Sequence, residues 1–238
     1  MLSPDELEAL TIVKAPGRTS RATTRRRRRR RSVPSYNEEA DLLQRGYSLV
    51  AGLDEVGRGP LAGPVVAGVA ILPSNLKGRW VRMVRDSKQL TRAERESVLP
   101  HLRRVALGLE IGVSSCEEID TLGIVAATNL AMQRAVDALS LQPQFLLLDA
   151  FPVPSLGLPQ KAIIRGDALC LSIAAASIVA KVARDRMMCE EDLIYPGYGF
   201  ADNKGYATAR HLRSLERLGP CLIHRRSFAP VKGWNFRR

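Results

Sequence analysis

From Tyr47 onward the chain alternates short apolar runs with longer stretches of helical periodicity. The first two runs, YSLVAGLDEV and PVVAGVAIL, are rich in β-branched residues and are separated by the Gly/Pro-rich GRGPLAG. They predict two adjacent strands joined by a tight connection. Thr91 followed by Glu94 has the spacing of a capping box, in which the two residues satisfy each other's free backbone N–H, and predicts a helix to about Leu102. RVALGLEIGV then returns to a strand.

A further helix is predicted over residues 123–139, with Val125, Thr128, Met132, Ala135 and Leu139 on one face. Pro143 breaks the chain, and QFLLLD reads as a buried strand ending on Asp149. KAIIR reads as another short strand, running to Gly166 and Asp167, before a long Ala-rich helix to about Met188 and a last helix over 207–218. Strands first and then strand–helix alternation imply an α/β domain, a mixed central sheet flanked by helices.

Residues 15–36 have a different character: APGRTSRATTRRRRRRRSVPSY holds seven consecutive arginines and almost nothing apolar. Self-repulsion and the lack of burial predict that this stretch is disordered, giving a basic, largely disordered, Arg-rich N-terminal extension over 1–45 and a folded domain over 46–238. The chain is basic beyond that extension. Of the net charge of +12, residues 1–45 carry +5 and residues 46–238 carry +7. A basic body favours a polyanionic partner, nucleic acid first, over a small neutral one.

Other classes lose ground. Cys116, Cys170, Cys189 and Cys221 are far apart with no C-x-x-C pair, so neither a zinc site nor a disulfide framework is expected. No apolar run is long enough for a membrane-spanning helix. The start, MLSPDELEALTIVK, carries three acids and lacks the apolar core of a secretory signal, so a cytoplasmic protein with reduced thiols is expected.

The chemistry concentrates in carboxylates. Asp54 and Glu55 end an otherwise apolar strand, where adjacent charges are costly unless a cation or a solvent-filled cleft receives them. Alone they read equally well as solvated strand-end acids. Asp149 after FLLL and Asp167 after IIRG put carboxylates at two more expected strand ends, and such ends gather along one edge of a sheet. Clustered oxygen ligands without His or Cys suit Mg²⁺ or Mn²⁺ rather than zinc, and a pair of such ions serves phosphodiester chemistry. GRGPLA also fits G-x-G-x-x-[GA] at Gly57, Gly59 and Ala62, but Pro60 interrupts it, a strand follows where a nucleotide-binding helix belongs, and Asp54 and Glu55 would repel a pyrophosphate.

Over nearly all of 46–232 the chain resembles the type 2 ribonucleases H. The resemblance rests on GLDEVGRGPLAGPVVAGVAIL, DSKQLT, LLLDA, RGDALCLSIAAASIVAKVARDR, NKGYAT and IHRRSFAPV, in the family's order. It implies an RNase H-like fold and a two-metal site in which Asp54, Glu55, Asp149 and Asp167 match the family's four acids. It further implies cleavage of the RNA strand of RNA–DNA hybrids, and cleavage 5′ to ribonucleotides within duplex DNA, leaving 5′-phosphate and 3′-hydroxyl ends. Gly57, Arg58 and Gly59 match the turn that contacts the ribonucleotide's 2′-hydroxyl, and Tyr206 matches a tyrosine near the RNA–DNA junction.

Lys88 in DSKQL and Lys181 in IVAKV are candidate phosphate contacts, with a surface or packing lysine as the alternative for each. Asp185, about five helical turns past Asp167, reads as an ion-pair partner of neighbouring arginines. Two positions depart from the family pattern: Val56 stands where Ala is usual, and Ala150 where Gly follows the third acid. A non-catalytic duplex binder would gain nothing from four acids facing phosphates. The related type 3 enzymes carry a folded N-terminal domain and a different fourth acid. A monomer is expected.

Overall fold

In the computed structural model, which describes residues 33–234, five strands form one sheet in the order β3-β2-β1-β4-β5. These are β1 (Val50–Val56), β2 (Val65–Ile71), β3 (Gly108–Ser114), β4 (Phe145–Asp149) and β5 (Gln160–Ile163). The tight GRGPLAG connection makes β1 and β2 antiparallel, with Asp54 opposite Gly68, and β2 and β3 are antiparallel too. A helical crossover then adds β4 parallel to β1, and a loop with one short 3-10 turn (Pro154–Leu156) leads to β5, parallel to β4. The sheet is mixed, as the element order predicts.

Helices cover both faces. On one, α6 (Leu171–Ile194) lies across β1 and β2, and α2 (Arg92–Val105) packs beside it through Val98, Leu99 and Leu102. The fit requires glycine: a Cβ on Gly52 would stand 2.3 Å from the backbone of Ser172 and Ile173, and one on Gly68 2.2 Å from Ala176 O. On the other face α3 (Cys116–Leu122) and α4 (Ile124–Asp137) close the core formed by Leu53, Val69, Leu146 and Leu148. The one-turn α5 (Gly166–Leu169) leads into α6, which is followed by α7 (Phe200–Asn203) and α8 (Ala209–Leu218).

Local signals behave as read. Thr91 and Glu94 form both halves of the capping box, although α2 continues past Leu102 to Val105. The same signature at Ser115 and Glu118 starts α3, a helix the apolar periodicity did not reveal. Thr128, Met132, Ala135 and Leu139 are buried, but Val125 is 61% exposed. The buried stripe of α4 instead includes Ala127 and Ala131, small enough to let the helix approach β3 at Gly112.

Two expectations need correction. Asp167 does not end a strand: Arg165 takes a left-handed backbone conformation (φ 59°), which stops β5 at Ile163 and delivers Asp167 on the first turn of α5. Part of the segment assigned to the extension is folded. Helix α1 (Asn37–Gln44) docks through Leu42, and the buried Glu39 carboxylate accepts the Ser172 N–H at 2.7 Å, capping the start of α6. Ser35 pairs with Leu169 and Leu171, and the Tyr36 hydroxyl donates to Leu72 O. The arginine run at 25–31 lies outside the described residues.

Candidate active site

Because side chains alternate across a strand, the adjacent acids at the end of β1 diverge. Asp54 points to the α6 face, 4% exposed, where it meets the Ser177 hydroxyl and its Oδ1 accepts the Glu55 N–H at 2.8 Å. Glu55 points to the other side and faces Arg58, 3.4 Å away. Asp149, on the adjacent parallel strand, accepts the Gly166 N–H at 2.7 Å through Oδ1. That bond ties the end of β4 to the turn that carries Asp167. All four expected acids therefore reach one edge of the sheet.

The cluster is short of positive charge. Burial first, and then Glu55, hold the Asp54 carboxyl well above the usual carboxylate range. Burial also raises Glu55 despite Arg58, and Asp167 is pushed up to about 6 by burial, Asp86 and Asp149. Lys88 stands 3.7 Å from Asp167; burial lowers its pKa, but Asp167, Asp54, Asp86 and Asp149 outweigh that and hold it above the ordinary value. Arg58 and Lys88 thus fail to offset the carboxyls they face. Among the described residues no three His, Cys, Asp or Glu side chains stand in a geometry that already grips an ion. Their all-oxygen chemistry and unmet charge nonetheless suit a hard divalent cation.

The GRG turn lies beside these acids. Gly57 has φ 95°, and a Cβ there would meet Arg184 Nε, so this position needs glycine for folding. Gly59 does not: a Cβ on it would meet nothing nearer than Tyr206 Cε1, 3.9 Å away. Tyr206, 44% exposed, is held by its N–H to Asn203 O and by the contact of its carbonyl with His211 Nδ1. The turn and the tyrosine thus form one surface at the edge of the carboxylate cluster. Next to it a cavity of about 370 Å³ is lined by Glu55, Arg58, Asp149, Val125, Met132 and Phe151.

Lys88 joins the cluster and Lys181 does not. Lys181 is mostly buried and paired with Asp185 Oδ1 at 2.5 Å, while Asp185 Oδ2 takes Arg95 of α2 at 3.2 Å. Asp185 is an ion-pair acid as expected, but its partners are Arg95 and Lys181 rather than the arginines beside it in sequence. Arg95 also donates to Ser87 O and Leu90 O, and the Ser177 hydroxyl donates to Ser87 Oγ, so this network fixes the loop that presents Lys88. Ala150 adopts φ 60°, a conformation that favours Gly at this position, and Val56 simply extends β1 opposite Val66.

Sequence reasoning missed Asp86 and Ser177. Asp86 caps the turn at Ser87–Gln89 by accepting the Lys88 N–H, and it faces Asp167 as well. Both lie inside the motifs that carry the resemblance, Asp86 in DSKQLT and Ser177 in RGDALCLSIAAASIVAKVARDR, but no local pattern singles out either one as a neighbour of the acids.

The family model for ribonuclease HII matches residues 51–231, which takes in all four acids, the GRG turn and Tyr206. This chain belongs to the ribonuclease HII family. A ribonuclease HII of Dehalococcoides mccartyi is 54% identical over 199 residues, covering 84% of this chain and 94% of that one. One from Desulfitobacterium hafniense is 55% identical over 197 residues, 82% of this chain and 74% of the relative. Among solved structures, the ribonuclease H2 of Pyrococcus horikoshii matches with a TM-score of 0.66 at 29% identity, covering 77% of this chain and 95% of that one. As a ribonuclease HII the chain is an endonuclease, a hydrolase of the ribonuclease H type, on an RNase H-like fold. No helix among the described residues is long and apolar enough to cross a membrane.

Proposed function

We propose that this ribonuclease cleaves the RNA strand of RNA–DNA hybrids, and cuts 5′ to ribonucleotides embedded in duplex DNA, leaving 5′-phosphate and 3′-hydroxyl ends. The observation that carries the reading is the meeting of Asp54, Glu55, Asp149 and Asp167 at one sheet edge, with less positive charge than they need, beside the GRG turn and Tyr206. These four carboxylates would hold two divalent ions, Mg²⁺ or Mn²⁺. Bound there, the ions supply an ionised water at neutral pH and stabilise the departing oxygen.

The chain's own groups do the rest. The Glu55 N–H orients Asp54, with the Ser177 hydroxyl beside it, and the Gly166 N–H orients Asp149, so the ligand oxygens are fixed before substrate arrives. Lys88 and Arg58 face the phosphates. Gly57, Arg58 and Gly59 bring backbone rather than side chain against the ribose, whose 2′-hydroxyl separates RNA from DNA, and the Tyr206 ring packs on the neighbouring sugar. Lys181 serves the Asp185 network instead of a phosphate. The enzyme acts as a cytoplasmic monomer, with its arginine run as a sequence-blind tether to the duplex.

Cleavage of an end-labelled duplex containing one ribonucleotide, with and without Mg²⁺ or Mn²⁺, tests this. A single product ending 5′ to the ribonucleotide, formed only with the metal, is expected. Cutting of the all-DNA duplex, or cutting in chelator, would refute it.

A further inference from the structure

Two arginines with no exposed surface stand behind the GRG turn. Arg225 donates through Nη1 to Arg58 O at 2.9 Å, through Nη2 to Gly57 O and to Gly63 O, and through Nε to Gly63 O at 3.0 Å. Arg184 donates to Pro64 O, Ala62 O and Lys204 O. Among the described residues neither guanidinium pairs with a carboxylate. Burying a charge this way is costly, and carbonyl acceptors from one loop offset it.

The contacts have a directional consequence. In a trans peptide the C=O of one residue and the N–H of the next point in opposite directions. Turning the Gly57 and Arg58 carbonyls inward to Arg225 therefore turns the Arg58 and Gly59 N–H groups outward, where neither finds an acceptor among the described residues. The adjacent residue braces the other half of the surface. His224 Nδ1 accepts the Cys221 N–H, which leaves its Nε2–H to donate to His211 Nε2 at 3.0 Å, and His211 Nδ1–H to donate to Tyr206 O at 2.8 Å.

We infer that Arg225, assisted by His224, is the positioning residue for ribose recognition: it holds the Gly57–Arg58 and Arg58–Gly59 peptide planes so that two N–H donors face the 2′-hydroxyl. The inference rests on the GRG reading proposed above. Lysine cannot replace this arginine, because one ammonium cannot reach the Gly57, Arg58 and Gly63 carbonyls in the planar fork that sets both peptides.

The test measures binding rather than cleavage, in an Asp149→Asn background without divalent ion and at low salt. Affinities are compared for a duplex with one ribonucleotide and for the same duplex in all DNA, alongside melting temperatures. The background protein is expected to prefer the ribonucleotide at least tenfold. Adding Arg225→Lys should cut that preference below threefold while all-DNA affinity changes less than threefold. His224→Gln, which leaves the Arg225 side chain in place and loosens the Tyr206 brace, should lower the preference by at least threefold and carries the test if Arg225→Lys does not fold. Gly59→Ala separates the two ideas. If Gly59→Ala removes the preference and both folded brace variants keep it, the positioning role is wrong and the GRG reading stands. If the background shows no preference, or Gly59→Ala leaves it intact, both fall.

Discussion

A methyl group on Gly59 would sit 3.9 Å from Tyr206 Cε1, whereas one on Gly57 would collide with Arg184 Nε at a backbone of φ 95°. The two glycines of one turn are therefore required for different reasons. Gly59→Ala should leave the melting temperature nearly unchanged and reduce cleavage at a single ribonucleotide well beyond tenfold. Gly57→Ala should destabilise by on the order of 1 kcal/mol or more before recognition is considered. Thermal melts beside cleavage rates check this; equal losses in melting and cleavage for Gly59→Ala would make it a folding glycine too.

Asparagine at 54 or 149 preserves shape and hydrogen bonding but removes a charge. Cleavage should drop by at least a hundredfold in Asp149→Asn, whose side-chain oxygen still accepts the Gly166 N–H. Asp54→Asn should lose activity while metal-free stability at neutral pH holds or rises, because burial and Glu55 oppose ionisation of the native carboxyl. Parental cleavage by Asp149→Asn with Mg²⁺ would dismiss the four-acid assignment.

The two lysines should separate cleanly. Lys88→Ala is expected to weaken duplex binding and to flatten the log–log salt dependence by about 0.9 for each phosphate it no longer neutralises, the figure for B-form DNA. Lys181→Met should leave that slope alone and instead lower stability, since Asp185 loses one of its two cationic partners. Salt titrations of both variants against the same duplex decide it, and a flattened slope for Lys181→Met would return that lysine to the substrate surface.

Truncation depends on where the cut falls. Removing residues 1–32 should preserve cleavage and flatten the salt dependence through loss of the seven arginines. Removing 1–45 should also destabilise the domain, because Glu39, Leu42 and Tyr36 pack on it. Equal melting temperatures for the two truncations would contradict that packing.

His224 makes stability acid-sensitive. Burial, and then His211, lower its pKa to about 4 from the usual 6.5, so between these values the unfolded chain binds the extra proton. The stabilisation from neutral His224 is complete above about pH 6.5 and is lost as the pH falls toward 4. Replacing His224 by Asn should flatten the stability–pH curve in that window, measured by urea unfolding at several pH values. An unaltered curve would assign the acid sensitivity elsewhere.

Much of this protein was written locally. The β-branched runs around GRGPLAG set β1 and β2, the Thr91–Glu94 capping box started α2, and an acid after each apolar run marked Asp54 and Asp149, because strand period and helix caps depend on near neighbours in sequence. The acid after IIRG marked Asp167 as well, and the motif resemblance supplied Tyr206 as a site residue. What required the tertiary structure was every relationship between distant segments. Arg165 bends the chain so that Asp167 arrives on α5; Lys181 turns to Asp185 and Arg95 rather than to a phosphate; Asp86 and Ser177 close around the acids from a loop and a helix. Arg184 and Arg225 look like two more basic residues in a basic chain, and only burial against carbonyls 120 to 168 positions away in sequence makes them braces of the GRG turn. A guanidinium facing backbone carbonyls has no residue pattern to announce it, since any sequence offers the same C=O groups.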